Sequence, residues 1–191
     1  MIYLASRSPR RRALLDQIGV QYRPLPVDLD EQFEGNESAA AFVQRMARLK
    51  AETGRSRLPG GDPTPVLGAD TAVVVDGEVL GKPASVDEAR RMVERLSGRA
   101  HEVLTAVALA SKTTAVSLSR SRVWFRELDP AERDAYCASG EPLDKAGGYA
   151  IQGLAAVFVR RLEGSYSGVM GLPLLETAEL LRAAGIDVLS R

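Results

Sequence analysis

The sequence is poor in the residues on which many catalytic and structural sites depend. Its 191 residues include one cysteine, Cys137, and one histidine, His101. A single cysteine excludes an internal disulfide and a cysteine-based zinc site. A single histidine excludes schemes that need several imidazoles, such as the HExxH zinc site. Any hydrolytic chemistry must therefore depend on carboxylates, lysines, arginines and a metal ion taken from solution.

Net charge and long apolar runs are absent as well. Lysine plus arginine and aspartate plus glutamate both number 25, so the formal net charge is +0 and indicates no nucleic-acid or membrane partner. The apolar stretch near the start, residues 2–5, is far too short for a secretory or membrane-spanning segment. We therefore expect a cytoplasmic protein. The length is enough for one well-buried core, which predicts a single domain over residues 1–191.

Strand and helix patterns alternate along the chain. β-rich runs predict strands at residues 2–5, 66–69, 72–75, 78–80, 102–110, 115–127, 155–162 and 186–189. Helical spacing and capping residues predict helices at residues 10–18, 38–52, 85–96 and 173–184, and one that begins at Asp129. Residues 54–65 are rich in glycine and proline, which predicts a loop. Because Asp76-Gly77 is typical of a hairpin turn, we expect an α/β domain with a mixed sheet.

The first candidate site is the basic turn at residues 6–12, SRSPRRR, between the first strand and the first helix. A helix N-terminus carries partial positive charge, so arginines are unfavourable there on stability grounds. The cluster is understandable if the turn binds an anion through amides, the Ser6 and Ser8 hydroxyls and the guanidinium groups of Arg10 and Arg11. A solvated basic turn is the alternative, and these residues alone leave it open.

The second candidate is an aspartate, Asp70, between two apolar β-rich runs. Strand interiors disfavour aspartate, so one placed there usually has a task or caps a turn. A carboxylate can help to hold Mg²⁺ or accept a proton from water. Asp28, Asp30 and Glu31 form an acidic cluster that could complete such a site, although a charge run of this kind is also typical of a solvated loop.

Two lysines and a glycine-rich segment are weaker candidates. Lys82 lies in the stiff turn Gly81-Lys82-Pro83 and could contact phosphate, although an exposed turn lysine is commoner. Lys50 would suit the negative end of the second predicted helix without any function. Residues 139–153 contain four glycines and suit a loop whose backbone approaches a ligand, although they lack P-loop spacing. His101 and Cys137 are expected to be structural.

Together these segments resemble the Maf family of nucleotide pyrophosphatases, which is related in fold to the inosine triphosphate pyrophosphatases. The matching motifs run in order along nearly the whole chain, and no motif position departs from the family pattern. They are LASxSPRR at residues 4–11, GADT at 68–71, GKP at 81–83, LSG at 96–98 with His101, DKAG at 144–147 with IQG at 151–153, and GSY at 164–166 with GLP at 171–173.

The resemblance implies a fold, an activity and a cofactor. The fold is an elongated mixed β-sheet with flanking helices and two lobes around a cleft. The activity is hydrolysis of a nucleoside triphosphate between its alpha and beta phosphates, with Mg²⁺ or Mn²⁺ as the divalent cation. A nucleoside triphosphate is then the partner, a homodimer is possible, and neither nucleic acid nor a membrane is expected.

The resemblance also assigns roles to residues. Asp70 becomes the proton acceptor that activates water, and Asp70 and Glu31 become metal ligands. Base specificity falls to Arg10, Thr71 and Gln152. Candidate phosphate or metal contacts are Ser6, Ser8, Arg11, Glu31, Lys50 and Lys82.

Gln152 points to the base that the family member would select. A glutamine amide offers one donor and one acceptor, which complement the O4 acceptor and the N3–H donor of uracil or thymine. The branch of the family directed at 7-methyl-GTP resembles this one but carries glutamate there. The sequence thus predicts a dTTP/UTP pyrophosphatase that removes unwanted or excess nucleotides. The alternatives are a purine (ITP or XTP) pyrophosphatase on the same fold and a non-catalytic nucleotide-binding regulator of cell division.

Overall fold

A computed structural model gives the fold and describes residues 1–31, 33 and 37–189. These residues form seven strands: β1 (Ile2–Leu4), β2 (Tyr22–Pro24), β3 (Val66–Val75), β4 (Glu78–Leu80), β5 (Ala100–Ala110), β6 (Thr114–Phe125) and β7 (Val159–Glu163). The same residues form six α-helices: α1 (Pro9–Gln17), α2 (Ala39–Ser56), α3 (Val86–Leu96), α4 (Pro130–Ala138), α5 (Tyr166–Met170) and α6 (Leu174–Ala183). Three short 3₁₀ helices lie at Glu141–Asp144, Ala146–Gly148 and Leu154–Phe158.

The strands form one mixed sheet, as the sequence predicts. Its order is β2-β1-β3-β5-β6-β7, and β4 pairs with β3 outside that path. β1 is parallel to both β2 and β3, with Leu4 opposite Leu67 in the second pair. The pairs β3–β4 and β6–β7 are antiparallel. The predicted α/β class, a mixed sheet with flanking helices, is therefore confirmed.

The chain divides into two compact units. The first comprises Met1–Asp70, Thr105–Ser119 and Gly171–Arg191, and the second comprises Thr71–Leu104 and Arg120–Met170. The single domain that the length suggests stays a prediction. No helix in the described part of the chain is long and apolar enough to cross a membrane.

In the first unit, the packing of α2 against β3 depends on a glycine. A Cβ added to Gly68 of β3 would lie 2.4 Å from the Ala47 carbonyl oxygen and 2.6 Å from the Ala51 nitrogen. Only glycine therefore lets the α2 backbone lie this close to the strand. Lys50 precedes Ala51 on α2, and Asp70 follows Gly68 by two residues. The close approach therefore brings Lys50 to Asp70.

In the second unit, local signals in the sequence form as predicted. Asp76 and Gly77 have φ values of 53° and 79°, which a type I′ turn between β3 and β4 requires. Asp129 and Glu132 form a complete capping box at the start of α4. The core of this unit is apolar and includes Val93, Phe125, Tyr149, Ile151 and Phe158.

Several predicted element boundaries are wrong. β3 is one strand through Asp70, where the sequence suggests two runs, and α2 extends to Ser56, into the predicted loop. Residues 186–189 are not a strand, because the Ile186 N–H donates to the Leu181 carbonyl and closes α6. The three-residue strand β2 carries no alternating pattern and is not predicted.

The predicted strand at residues 155–162 is also partly wrong. Its first residues belong to the 3₁₀ helix Leu154–Phe158, and only Val159–Glu163 is extended. The cause is a distant carboxylate, because Glu141 accepts hydrogen bonds from the backbone N–H groups of Leu154 and Ala155. A side chain thirteen residues earlier thus stabilises a helical turn that the local sequence does not indicate.

Candidate active site

Two serines order the turn between β1 and α1. The Ser8 side chain caps α1 and accepts a hydrogen bond from the Arg11 N–H at 3.4 Å. The buried Ser6 hydroxyl oxygen accepts one from the Ser8 N–H at 3.2 Å. These acceptor roles leave each hydroxyl proton to be donated elsewhere, since a hydroxyl is both donor and acceptor. The turn therefore has the fixed geometry that anion binding needs.

Arg11 supplies a half-buried positive charge to the same turn. Its Nε donates to the Gly171 carbonyl at 2.8 Å, and its Nη1 donates to Ser6 Oγ at 3.2 Å. Burial lowers the pKa of Arg11, and the charges of Asp70 and Glu31 oppose that shift. An arginine nevertheless stays charged in proteins. The first turn of α1 contains no acidic residue, so Arg11 adds to the positive end of the helix dipole.

Lys50, Asp70 and Glu31 form a carboxylate–ammonium cluster. Lys50 Nζ lies 2.6 Å from Asp70 Oδ1 and 2.6 Å from Glu31 Oε1. Lys50 and Asp70 are only 7% and 6% exposed, so water screens their attraction weakly. Lys50 lies more than one turn before the end of α2 at Ser56, so the helix dipole does not account for its position. Asp70 lies inside β3, which confirms that it is not a turn aspartate.

The strand topology places the basic turn and the cluster on the same side. β1 and β3 are parallel neighbours, so their carboxyl ends point the same way. Ser6 follows the end of β1, and Asp70 lies three residues beyond Leu67, the β3 partner of Leu4. In open α/β sheets, ligands bind outside the carboxyl ends of parallel strands. The first unit thus holds cations and carboxylates where that rule predicts a ligand.

The rest of the acidic run does not join the cluster. Asp28 instead pairs with Arg7 at 2.7 Å, and both side chains are largely exposed. Asp30 is exposed as well. The charge pattern alone does not separate Glu31 from these neighbours, because all three carboxylates share one polar segment, whereas the family resemblance singles out Glu31.

A divalent cation fits the donor set of the cluster. Mg²⁺ is usually bound by one or two carboxylates plus substrate phosphates and water. Asp70 and Glu31 converge on one point, the Lys50 ammonium, and so offer two carboxylates. Among residues 1–31, 33 and 37–189, no group of three or more His, Cys, Asp or Glu side chains could hold a metal ion. Phosphate oxygens would therefore have to complete the coordination.

Three of the four remaining predicted residues belong to the second unit. Thr71 is half-buried on β3, whereas Lys82 and Gln152 are exposed. The Gly147 N–H donates to the Gly81 carbonyl at 3.0 Å, which ties the glycine-rich segment to the turn that carries Lys82. In the first unit, Arg10 is half-buried in the first turn of α1. The functional roles of all these residues stay predictions.

Two of the four glycines in residues 139–153, Gly147 and Gly153, serve packing within the second unit. Gly147 has a φ of 69°, and a Cβ there would lie 2.8 Å from the Val73 side chain. A Cβ on Gly153 would lie 2.4 Å from Glu141 Oε2. The sequence predicted that these glycines let the backbone approach a ligand. In the structure Gly147 and Gly153 admit side chains of the protein itself, and the approach of this segment to a ligand stays a prediction.

His101 and Cys137 are structural, as predicted. His101 is buried, and its Nε2 lies 2.8 Å from the Tyr149 hydroxyl. Burial lowers the pKa of His101 to about 4, so the imidazole is neutral at pH 7. Cys137 is also buried, and burial raises the pKa of its thiol, which makes it a poor nucleophile at neutral pH.

Two contributors were missed in the sequence. The Gly171 carbonyl fixes Arg11 from a distance of 160 residues along the chain. The Glu141 carboxylate holds the backbone just after Gln152. Each contact involves a glycine at a motif position to which the sequence assigns no role: Gly171 for the contact with Arg11, and Gly153 for the contact with Glu141. Neither glycine indicates its partner, because both contacts form only in the folded chain.

The fold and this site together define an α/β protein that holds a cationic turn and a carboxylate–ammonium cluster beside two parallel strands. Residues 1–184 match the family model described as Maf-like protein. The chain therefore belongs to the Maf family.

Three relatives, each named dTTP/UTP pyrophosphatase, are similar along nearly their whole length. The protein of Alkalilimnicola ehrlichii is 56% identical over 189 residues, which are 97% of this chain and 94% of the relative. That of Nitrosospira multiformis is 54% identical over 98% of this chain and 96% of its own. That of Methylobacillus flagellatus is 54% identical over 98% of this chain and 94% of its own.

Solved structures are much less similar. A protein of Mycobacterium abscessus described as nucleoside-triphosphatase / dITP/XTP pyrophosphatase has a TM-score of 0.43 and 19% identity, and the match covers 73% of this chain and 94% of that one. The Ham1 protein of Staphylococcus aureus has a TM-score of 0.46 and 15% identity over 65% of this chain and 71% of that one. These similarities are too low to support an inference about function.

Proposed function

We propose that this chain hydrolyses dTTP and UTP to the nucleoside monophosphate and pyrophosphate. The observation that carries the proposal is the pairing in the first unit of a cationic turn, Ser6 to Arg11, with the Lys50–Asp70–Glu31 cluster. The names of relatives that are 54–56% identical over 97–98% of the chain support the same reaction and the same bases.

The cationic turn binds the triphosphate. Arg11 brings a guanidinium whose position two hydrogen bonds already fix, and the Ser6 and Ser8 hydroxyls and the α1 N–H groups add donors. A half-buried arginine at a helix N-terminus is unfavourable because its charge adds to the positive end of the helix dipole, and an anion relieves this repulsion. The repulsion thus favours nucleotide binding.

Asp70 accepts the proton of the attacking water. The water oxygen bonds to the alpha phosphorus, and the bond from that phosphorus to the oxygen bridging to the beta phosphate breaks. Lys50 holds Asp70 Oδ1 at 2.6 Å and so keeps the carboxylate oriented, while the second carboxylate oxygen takes the proton. A divalent cation bound by Asp70 and Glu31 would stabilise charge on the phosphate oxygens. Pyrophosphate leaves with its negative charge opposed by Arg11.

Base selection belongs to the second unit in this proposal. The exposed Gln152 amide donates to O4 and accepts from N3–H of uracil or thymine. Arg10, Thr71 and Lys82 have supporting roles in binding the nucleotide. A homodimer and a cytoplasmic location stay predictions.

A nucleotide panel in H₂¹⁸O tests the function. We expect pyrophosphate release to be fastest with dTTP and UTP, slower with ITP, XTP and 7-methyl-GTP, and the ¹⁸O to appear in the monophosphate. Label in pyrophosphate would place the attack on the beta phosphorus and contradict the mechanism. Faster turnover of ITP or XTP would favour the purine alternative. Nucleotide binding without turnover at any Mg²⁺ or Mn²⁺ concentration would favour the regulator.

A further inference from the structure

Glu141 is a carboxylate outside the proposed reaction that makes an unusually complete set of contacts. Its Oε2 accepts a hydrogen bond from the Leu154 N–H at 2.9 Å. Its Oε1 accepts one from the Ala155 N–H at 3.3 Å and one from the Tyr136 hydroxyl at 3.1 Å. All four residues belong to the second unit. Glu141 thus joins α4 to the first residues of the 3₁₀ helix Leu154–Phe158.

The Ala155 N–H needs this partner. The first N–H groups of a helix have no acceptor within it, and Ala155 is fully buried, so water does not replace one. The residue before the 3₁₀ helix is Gly153, which has no side chain to cap the helix. The distant carboxylate of Glu141 therefore takes the place of a local N-cap.

Glu141 is itself held in place. Its N–H donates to Ser139 Oγ at 3.2 Å, and its carbonyl accepts from Lys145 Nζ at 2.6 Å. Burial and the neighbouring charge of Glu141 raise the pKa of Tyr136, so its hydroxyl remains protonated and can donate. The absence of a side chain at Gly153 makes room for this carboxylate, since a Cβ there would lie 2.4 Å from Glu141 Oε2. The observed position of the Glu141 carboxylate therefore requires glycine at position 153.

The backbone is held on both sides of Gln152. On one side, Ile151 is 6% exposed and packs in the core, and the Gly153 N–H donates to the Ala150 carbonyl at 3.0 Å in a tight turn. On the other side, the Glu141 contacts begin at Leu154. Gln152 is therefore an exposed side chain on a backbone that is fixed immediately before and after it.

We propose that Glu141 is the positioning residue for Gln152: by capping the backbone at Leu154 and Ala155, it fixes where the Gln152 amide is presented to the pyrimidine. The inference rests on the proposed function, in which Gln152 reads the base. A positioned amide discriminates by hydrogen-bond direction, so loss of position reduces selectivity more than overall binding. Cytosine presents a donor where uracil and thymine present O4, so dCTP is the competitor that reports on this direction.

The main variant is Glu141→Gln. Its amide oxygen can accept, but its NH₂ group cannot, so one of the two capped N–H groups loses its acceptor. We expect the preference for dTTP over dCTP, measured both as kcat/KM and as Kd, to fall about tenfold, the scale of one unmet hydrogen bond. Hydrogen exchange at the Leu154 and Ala155 amides should accelerate by about the same factor. Glu94→Gln is the matched control, because Glu94 is an exposed carboxylate that pairs with Arg133, and its substitution should change neither quantity.

A double-mutant cycle separates positioning from a merely structural role. In a Gln152→Ala background, Glu141→Gln should leave the dTTP/dCTP preference unchanged, because there is no amide left to position. Equal losses with and without Gln152 would overturn the proposal. If Gln152→Ala alone leaves the preference unchanged, base reading by Gln152 fails and the proposal fails with it, whereas faster amide exchange would still show that Glu141 caps the helix.

Gly153→Ala covers the case in which Glu141→Gln does not fold. The φ of Gly153 is −104°, which alanine adopts freely, so the substitution acts through its Cβ, which displaces the Glu141 carboxylate. We expect the same fall in the dTTP/dCTP preference and no further fall when both substitutions are combined. A normal preference in Gly153→Ala, with faster exchange at Leu154, would contradict the proposal. The Kd ratio keeps the test valid if the chain binds nucleotides but does not hydrolyse them.

Discussion

The two units hold their candidate functional side chains in opposite ways. In the first unit, Lys50 and Asp70 are buried and joined by an ion pair, and Arg11 is fixed by two hydrogen bonds. In the second unit, Gln152 and Lys82 are exposed, and the buried core of the unit consists of uncharged aliphatic and aromatic side chains.

The difference suggests a division of labour under the proposed function. Charge development at phosphorus is stabilised best by groups that are already oriented and poorly hydrated, which the first unit provides. A base is selected by the direction of a few hydrogen bonds, which an exposed amide on a fixed backbone provides. Substitutions in the first unit should therefore reduce the activity on all nucleotides by a similar factor. Substitutions around Gln152 should instead change the preference for one nucleotide over another.

The largest expected effect is on stability, in Lys50→Met. Removing the ammonium deprives the buried Asp70 carboxylate of its ion-pair partner, and breaking a buried pair costs about 3–5 kcal/mol. We expect a lower melting temperature in EDTA that recovers partly with Mn²⁺, measured by thermal unfolding. Lys112→Met, at an exposed position, is the control. A melting temperature that does not respond to Mn²⁺ would argue against metal binding by the two carboxylates.

The second prediction is for Asp70→Asn, which keeps the shape and removes the proton acceptor. Turnover of every nucleotide should fall by at least about a hundredfold, the usual scale for the loss of a general base. Glu31 remains beside Lys50, so the protein should still fold. Asp28→Asn, at an exposed ion pair, should be near normal. Near-normal pyrophosphate release by Asp70→Asn would exclude Asp70 as base and as metal ligand.

The third prediction is for Arg11→Ala, where the structure changes the expectation. From sequence alone, removal of a cation from the start of α1 should leave stability unchanged or raise it. The structure shows that it also leaves the buried Gly171 carbonyl without the Arg11 donor, which costs about 1–3 kcal/mol. We expect weaker binding of all nucleotides and a modestly lower melting temperature. Calorimetric titration with a non-hydrolysable nucleotide analogue measures the binding, and thermal unfolding measures the melting temperature. Normal binding by Arg11→Ala would show that Arg11 does not bind the phosphates.

The smallest and most selective effect is expected for Gln152→Glu. The carboxylate cannot donate to O4 of the pyrimidine, so kcat/KM for dTTP and UTP should drop at least about tenfold. Activity on 7-methyl-GTP should fall less or rise, because guanine offers donors that a carboxylate accepts. Arg10 and Thr71 remain, so a shift in ratio is expected and not a full switch. If kcat/KM fell by the same factor for dTTP, UTP and 7-methyl-GTP, Gln152 would not select the base.

The sequence by itself determined the features that depend on neighbouring residues. Asp76-Gly77 predicts the hairpin because the two positive φ values of its turn are a local property. Capping at Asp129 and the burial of the apolar run around Asp70 follow from short-range patterns in the same way. Motif order along the chain predicted the Maf family, which the family match over residues 1–184 confirmed.

Tertiary structure alone decided which charges meet and which segments are held. Lys50 reaches Asp70 across twenty residues because Gly68 lets α2 lie against β3, and no local pattern in either segment encodes that approach. Glu141 likewise turns a predicted strand into a 3₁₀ helix thirteen residues away. A buried polar group must find its partner wherever the packed chain brings one, so its partner is fixed by packing and not by position in the sequence.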